Sequence, residues 1–145
     1  MFQTILVPSD GSPLSAQAAQ AAIECARVIG ASVVALSVAE PYPYSPYVEC
    51  GAVPALPYFA ETALAQAQAC VQDIAVAAAT AGVRCATHVA VSLSPCEEIL
   101  RAAQQFHCDL IFMAARAQNA VQRFLLGSQT QLVLAHTTIP VLVFR

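Results

Sequence analysis

Two short segments carry the residues whose types and spacing are suited to binding a small molecule. Pro8-Ser9-Asp10-Gly11 follows an apolar run, and the Asp10 carboxylate either accepts hydrogen bonds from sugar hydroxyls or caps the helix that follows. Gly127-Ser128 begins the last predicted helix, where unpaired backbone N–H groups and the helix dipole attract anions. Arg116 and Arg123 precede it and can add positive charge. These two segments are therefore the candidate ligand-binding loops.

The elements around the two loops alternate between strand and helix. Apolar runs predict strands at 2–7, 32–39, 83–91, 109–113 and 141–144, and helical periodicity predicts helices at 13–29, 59–81, 95–106 and 128–136. This order predicts right-handed crossovers and a parallel sheet. In such sheets ligands bind beyond the carboxyl ends of the strands, where the strand order reverses. Both candidate loops follow strands, so we expect them at one site.

Local signals predict how the helices begin and which sides are buried. Ser12 is expected to cap the first helix, with Pro13 at its first position. Capping boxes are expected where Ser94 precedes Glu97 and where Ser128 precedes Gln131. The alternation of 83–91 predicts an edge strand with His88 on its solvent side. The predicted buried face of the first helix consists of Leu14, Ala18, Ala21, Cys25 and Val28.

Composition and charge exclude several classes of protein. Hydrophobic residues make up 58% and charged residues 10% of the 145 residues, which predicts an apolar dimer face. The net charge is -3 and the six basic residues are scattered arginines, which argues against nucleic-acid binding. No apolar run reaches the roughly 18 residues of a membrane span. The first residues lack a signal-peptide pattern, so we expect a cytoplasmic protein without a membrane partner.

Cysteine and histidine patterns predict neither a metal site nor an enzyme. None of the six cysteines forms a CxxC or zinc-ligand spacing, and most are expected to behave as small buried hydrophobes. His88, His107 and His136 are predicted on an edge strand and at two helix ends, where they form no nucleophile–base set. We therefore predict no catalytic residues and no metal.

Two long segments carry a family resemblance: TILVPSDGSPLSAQAAQAAIECARVIGASVVALSVAEP at the beginning and CDLIFMAARAQNAVQRFLLGSQTQLVLAHTTIPVLVFR at the end. The first is similar to the first strand, helix and second strand of the universal stress protein family, and the second is similar to its C-terminal signature. The chain resembles this family over residues 1–145. The resemblance implies a single open-sheet domain at 1–145, with five parallel strands in the order 3-2-1-4-5 and helices on both faces. The implied fold is Rossmann-like, of the adenine nucleotide alpha hydrolase-like type. The resemblance also implies homodimers formed through the last strand, 141–144.

The resemblance also implies an ATP site, and two alanines modify that expectation. ATP-binding members carry Gly-x2-Gly-x9-Gly-Ser after the fourth strand, where this chain has Ala114, Ala117, Gly127 and Ser128. A positive-φ position would cost alanine about 1 kcal/mol or more, and its methyl hinders close approach of a phosphate. We therefore expect ATP to bind weakly or not at all, with no other cofactor. The candidate nucleotide contacts are Pro8, Ser9, Asp10, Val38, Met113, Ala114, Arg116, Ala117, Gly127, Ser128 and Gln129.

Two functions remain for this sequence. The first is a dimeric stress-response binding or signalling module with a degenerate nucleotide site. The alternative is a stress-response switch of the same fold that binds ATP. The proline-rich segment 41–58 contains all four tyrosines and is either a surface for an unknown protein partner or a loop packed by its own rings.

Overall fold

We describe the fold from a computed structural model of the chain. It describes residues 1–41, 56–115 and 127–145, with the side chains of all of these except 56–60. The strands are β1 (Thr4–Pro8), β2 (Ser32–Ala39), β3 (Cys85–Val91), β4 (Leu110–Ala114) and β5 (Val141–Phe144). The helices are α1 (Pro13–Ile29), α2 (Leu56–Thr80), α3 (Pro95–Gln105) and α4 (Ser128–His136).

The five strands form one parallel sheet in the order β3-β2-β1-β4-β5. This confirms the order that the family resemblance implied. The central strand β1 pairs with β2 through Ile5 and Val33, and with β4 through Ile5 and Leu110. The order reverses beside β1, so the carboxyl ends of β1 and β4 flank the place where ligands bind in such sheets.

Helices cover both faces of the sheet because the central strands are apolar on both sides. Ile5 and Val7 face α1 and α2, whereas Leu6 faces α3 and α4, and all three are fully buried. The same alternation along β2 places Val33 and Val34 in opposite layers. Near-continuous apolar strands of this kind are typical of parallel sheets covered on both faces.

Three strands have boundaries that differ from the sequence prediction by one to two residues. β1 spans Thr4–Pro8 and not 2–7, and β4 spans Leu110–Ala114 and not 109–113. The Asp109 carboxylate instead accepts the backbone N–H groups of Gln3 and Thr4, so it ties the entry of β4 to that of β1. β3 begins at Cys85 and not at 83, because the N–H of Val83 still pairs with the carbonyl of Ala78 in α2.

The predicted buried face of α1 is partly wrong. Ala18 is buried as predicted, but Val28 is 75% exposed. Because alanines occur all around this helix, apolar spacing alone does not select one side. The buried side consists of Ser15, Ala18, Ala19, Ala22, Ile23 and Ala26.

The edge strand β3 follows its predicted alternation only in part, because Thr87, on the same side as Cys85 and Val89, is exposed. Cys85 and Val89 pack toward the α1 and α2 layer. His88, expected in solvent, is half-buried because its ring lies edge-on against Phe106, with ring centroids 5.4 Å apart. No helix within the described part of the chain is both long enough and apolar enough to cross a membrane.

Candidate ligand cavity

A cavity of about 750 Å³ opens at the carboxyl ends of β1, β2 and β4, between the N-termini of α1, α3 and α4. Both candidate loops contribute to its wall. Leu36 and Ile99, which the sequence prediction did not include, lie beneath the wall, where both are buried in the core. Arg116 and Ala117 lie outside the described residues. The other predicted contacts all line the cavity: Pro8, Ser9, Asp10, Val38, Met113, Ala114, Gly127, Ser128 and Gln129.

Ser9 holds the first loop in place through its side chain and its backbone. Its N–H donates to the carbonyl of Leu36 at 2.8 Å, which ties the loop to β2. Its hydroxyl lies 2.9 Å from the Ser15 hydroxyl, accepts the N–H of Gly11 at 3.3 Å and accepts the thiol of Cys70 at 3.2 Å. The loop is thereby joined to β2, α1 and α2.

The carbonyl of Ser12 fixes the direction of the hydrogen bond between the Ser9 and Ser15 hydroxyls, because a carbonyl oxygen can only accept. The Ser15 hydroxyl donates to the carbonyl of Ser12 at 2.9 Å, so the Ser9 hydroxyl donates to Ser15. A hydroxyl offers one donor and two acceptor positions. With Gly11 and Cys70 as donors, all three positions of Ser9 are engaged within the protein. The Ser9 hydroxyl therefore shapes the loop, and Ser9 as a whole is only 8% exposed.

Asp10 shapes the turn before α1, whereas Ser12 caps the helix. The Oδ1 atom of Asp10 accepts the N–H of Ser12 at 3.0 Å, and Ser12 Oγ accepts the N–H of Ser15 at 3.2 Å. Gly11 between them has φ of 78°, a left-handed conformation that favours glycine. The predicted Ser12 cap is confirmed, and the Asp10 carboxylate remains exposed at the cavity wall.

The start of α4 differs from the predicted capping box. Gly127 and not Ser128 is the N-cap residue, and it provides no side-chain acceptor for the helix. Ser128 is exposed at the first helical position, so its predicted capping role is wrong. The first intrahelical bond runs from the N–H of Gln131 to the carbonyl of Gly127 at 3.0 Å. The N–H groups ahead of Gln131 lie at the positive end of the helix dipole, beside the cavity.

Gln129 has a role that sequence reasoning missed. Its Oε1 atom accepts the N–H of Cys96 at 3.0 Å and so caps α3 from the neighbouring helix. Ser94 is the N-cap residue of α3 but makes no side-chain capping bond, so the predicted box of Ser94 with Glu97 is wrong. Thr130, 1% exposed, donates to the carbonyl of Ala114 at 3.4 Å. These contacts fix α4 against α3 and β4.

Ala114 occupies the place of the first motif glycine without backbone strain. It is the last residue of β4 and pairs with Phe144 of β5. Among described residues other than glycine, only His107 has a positive φ. Ala114 packs against the α1 and α2 layer of the core. The conformational cost expected for alanine is therefore wrong at this position.

The charged side chains of the described cavity wall are both carboxylates. Asp10 follows β1 and Glu40 follows β2. The sequence prediction omitted Glu40, although its position directly after a central strand signals that it lies at the ligand end of the sheet.

Three cysteine thiols near the core are held in the protonated form. Burial raises the pKa of Cys85, and burial together with the Glu97 charge raises that of Cys96. Burial, assisted by the Asp109 charge, raises the pKa of Cys108 from 9.0 to about 11. Protonated thiols at neutral pH behave as small apolar groups, as the cysteine pattern predicted.

A parallel sheet with a cavity at its strand-order reversal defines an open-sheet, Rossmann-like α/β protein. The model of the universal stress protein family matches residues 1–145. A universal stress protein of Methanocaldococcus jannaschii is 30% identical over the whole chain, which covers 83% of that relative. A Thermus aquaticus universal stress protein, encoded beside a QAH/OAS sulfhydrylase gene, is 34% identical, with all of both chains covered. The chain belongs to the universal stress protein family.

Solved structures agree with this assignment. Universal stress protein UspA from Lactobacillus plantarum superposes with a TM-score of 0.80 at 27% identity. The alignment covers 99% of this chain and 97% of the other.

Proposed function

We propose that the chain is a dimeric stress-response binding module whose cavity is a degenerate nucleotide site. In this site ATP binds weakly or not at all. The observation that supports it is one cavity whose wall combines the loop after β1, the end of β4 and the N-terminus of α4. Its volume of about 750 Å³ suits a ligand of nucleoside or nucleotide size.

The described wall fits the neutral part of a nucleotide better than its phosphates. Val38 and Met113 offer apolar surface for a base, and the Asp10 carboxylate lies where it can accept hydrogen bonds from sugar hydroxyls. The N-terminus of α4 suits one phosphate. ATP would bring three phosphates against a described wall that carries two carboxylates. ATP is therefore the cofactor to test, with weak or absent binding as the expectation.

Two proteins of the same fold support the nucleotide class. One universal stress protein structure is a complex with cAMP, and another, from Archaeoglobus fulgidus, is a complex with dAMP. Their identities to this chain are 21% and 19%, so they indicate what the fold can hold. We propose a binding role and no catalysis, because His88, His107 and His136 all lie away from the described cavity wall.

Mass spectrometry of the freshly purified, denatured protein tests this function together with calorimetry. We expect no stoichiometric ATP to be released and adenosine to bind to the cleared protein. Val38→Phe should abolish that binding by filling the cavity, since Val38 lines its wall. The matched control Val91→Phe changes a valine that is 57% exposed outside the wall, and it should bind like the parent protein. Stoichiometric, tightly held ATP would instead support the ATP-dependent switch.

A further inference from the structure

We infer that the cavity selects its ligand by charge and takes a neutral nucleoside or a cyclic monophosphate in preference to nucleotides with several phosphates. Glu40 is the specificity-determining residue. The inference rests on the proposed nucleotide site and names the ligand class of that same cavity.

Glu40 stands where its charge acts on any ligand in the cavity. β2 ends at Ala39, so Glu40 is the first residue beyond the carboxyl end of that strand. Its side chain is exposed and lines the cavity wall. β2 pairs in parallel with β1, with Leu36 opposite Pro8, so the loop that carries Asp10 begins beside the same strand end. The two neighbouring strands therefore both deliver a carboxylate to one cavity.

Positive potential in the described wall comes from the N-termini of α1, α3 and α4, of which that of α4 has no side-chain cap. A helix N-terminus is equivalent to roughly half an elementary charge, and its effect falls off within the first turn. It can balance one phosphate beside Gly127 and Ser128, while each further phosphate adds repulsion from Glu40. Arg116 and Arg123 lie outside the described residues, so the test must measure the summed potential of the whole cavity.

The remainder of the wall suits an uncharged ligand. Val38 is half-buried and Met113 is 5% exposed, and both line the cavity with apolar side chains. A carboxylate accepts hydrogen bonds from hydroxyl and amino groups, which a nucleoside carries on its sugar and on its base. The charge that repels a second or third phosphate can thus bind the neutral part of the same ligand.

The sign of the salt dependence tests this inference. Calorimetry would compare adenosine, cAMP, AMP and ATP without divalent cations, at about 0.01 M and at about 0.1 M salt, where the screening length falls from about 30 to about 10 Å. We expect ATP to bind most weakly of the four ligands, because only ATP carries phosphates beyond the one that the N-terminus of α4 balances. Salt should strengthen ATP binding about three-fold or more, because it screens a repulsion. Adenosine affinity should change less than about two-fold, because adenosine carries no charge.

The Glu40→Gln variant tests whether the charge of Glu40 is responsible for the selection against ATP. Glutamine keeps a hydrogen-bond acceptor and removes the charge, so ATP should bind about three-fold or more tightly at low salt, with adenosine nearly unchanged. Glu61→Gln is the matched control, because Glu61 is exposed on α2 and is absent from the described cavity wall. It removes the same charge and should leave both affinities as they are.

Two results would overturn the inference in distinguishable ways. If ATP binds more tightly than adenosine and salt weakens it, the summed potential is positive; charge selection is then wrong while the nucleotide site stands. If neither adenosine nor ATP binds to the parent protein or to Glu40→Gln, the proposed nucleotide site itself is wrong.

Discussion

At the scale of single residues, Ala114 shows why a missing glycine has two separate consequences. Glycine in a phosphate-binding loop provides positive φ and allows close approach of the ligand. Ala114 lies in β4 and packs into the core, so positive φ is not required there. Only its methyl group and its fixed strand conformation distinguish it from the family glycine. Ala117, the second replacement, lies outside the described residues.

Ala114→Gly should therefore destabilise the protein without creating an ATP site. Glycine within a strand costs about 0.5–1 kcal/mol relative to alanine, and the lost methyl contact with the core adds to this. We expect a loss of about 1 kcal/mol in the free energy of unfolding, measured by urea denaturation. ATP affinity, measured by calorimetry, should stay at the level of the parent protein.

Ala114→Ser is the control for this change, because it keeps the Cβ atom and the strand conformation. A large gain in ATP affinity in the glycine variant alone would show that the Ala114 methyl blocks the phosphates. The loop would then adopt another conformation when ATP is bound.

At the scale of elements, the helix N-termini show which helix caps can be predicted from the sequence. The Ser12 cap depends on atoms within one turn, and the prediction was confirmed. For α3 the capping acceptor is Gln129, which lies 33 residues from the N–H of Cys96 that it accepts. Sequence proximity favours Ser94, but the fold brings a side chain from α4 to that place. A cap supplied across two helices gives no local pattern to detect.

Tertiary contacts also limit how much of the cavity can be predicted from the sequence. Alternating elements predicted the parallel sheet, and with it the ends of β1 and β4 as the ligand site. The hydroxyl of Ser9 is engaged by Cys70, which comes from α2, so its availability to a ligand depends on tertiary contacts. Glu40 was missed because a single acidic residue after a strand forms no motif. Its place became evident once β2 and β1 were seen as neighbours.

The hydrogen bond between Gln129 of α4 and the N–H of Cys96 in α3 should contribute measurably to the free energy of unfolding. Gln129→Met keeps a similar volume but removes the acceptor for the N–H of Cys96, so we expect the unfolding free energy to fall by about 0.5–2 kcal/mol. Gln129→Glu keeps an acceptor oxygen and places a negative charge at a helix N-terminus, which favours the helix. Chemical denaturation should find the glutamate variant close to the parent protein. Equal stability of the methionine variant and the parent would contradict the capping role.

At the scale of the whole molecule, both edges of the sheet leave strand backbone unpaired within the described chain. β5 is short and apolar, with Leu142 40% exposed and Val141, Val143 and Phe144 half-buried. β3 is longer and includes exposed Thr87. An apolar edge strand is a template for pairing with another chain. A two-fold contact between copies covers both partners' edges at once, so we predict a homodimer through β5.

The pairing pattern identifies which backbone groups such a dimer would use. The N–H groups of Ile111 and Ala115 donate to the carbonyls of Pro140 and Phe144, so even-numbered residues of β5 face β4. Val143 therefore directs its N–H away from the sheet. In β3, Arg84 accepts from Val33 and Ser92 donates to Ala39, so Thr87 directs its N–H outward at the opposite edge.

Proline substitutions, one at each edge of the sheet, distinguish a dimer formed through β5 from one formed through β3. Proline is tolerated on an edge strand where the lost N–H faces outward, so Val143→Pro should keep the fold and lose one donor of the β5 contact. Thr87→Pro makes the same change at the β3 edge. By sedimentation at micromolar concentration we expect the parent protein and Thr87→Pro to be dimers and Val143→Pro to be mainly monomeric. Circular dichroism would verify that both variants fold. If Thr87→Pro dissociates instead, the dimer forms through β3, and a monomeric parent protein would exclude either edge as a stable interface.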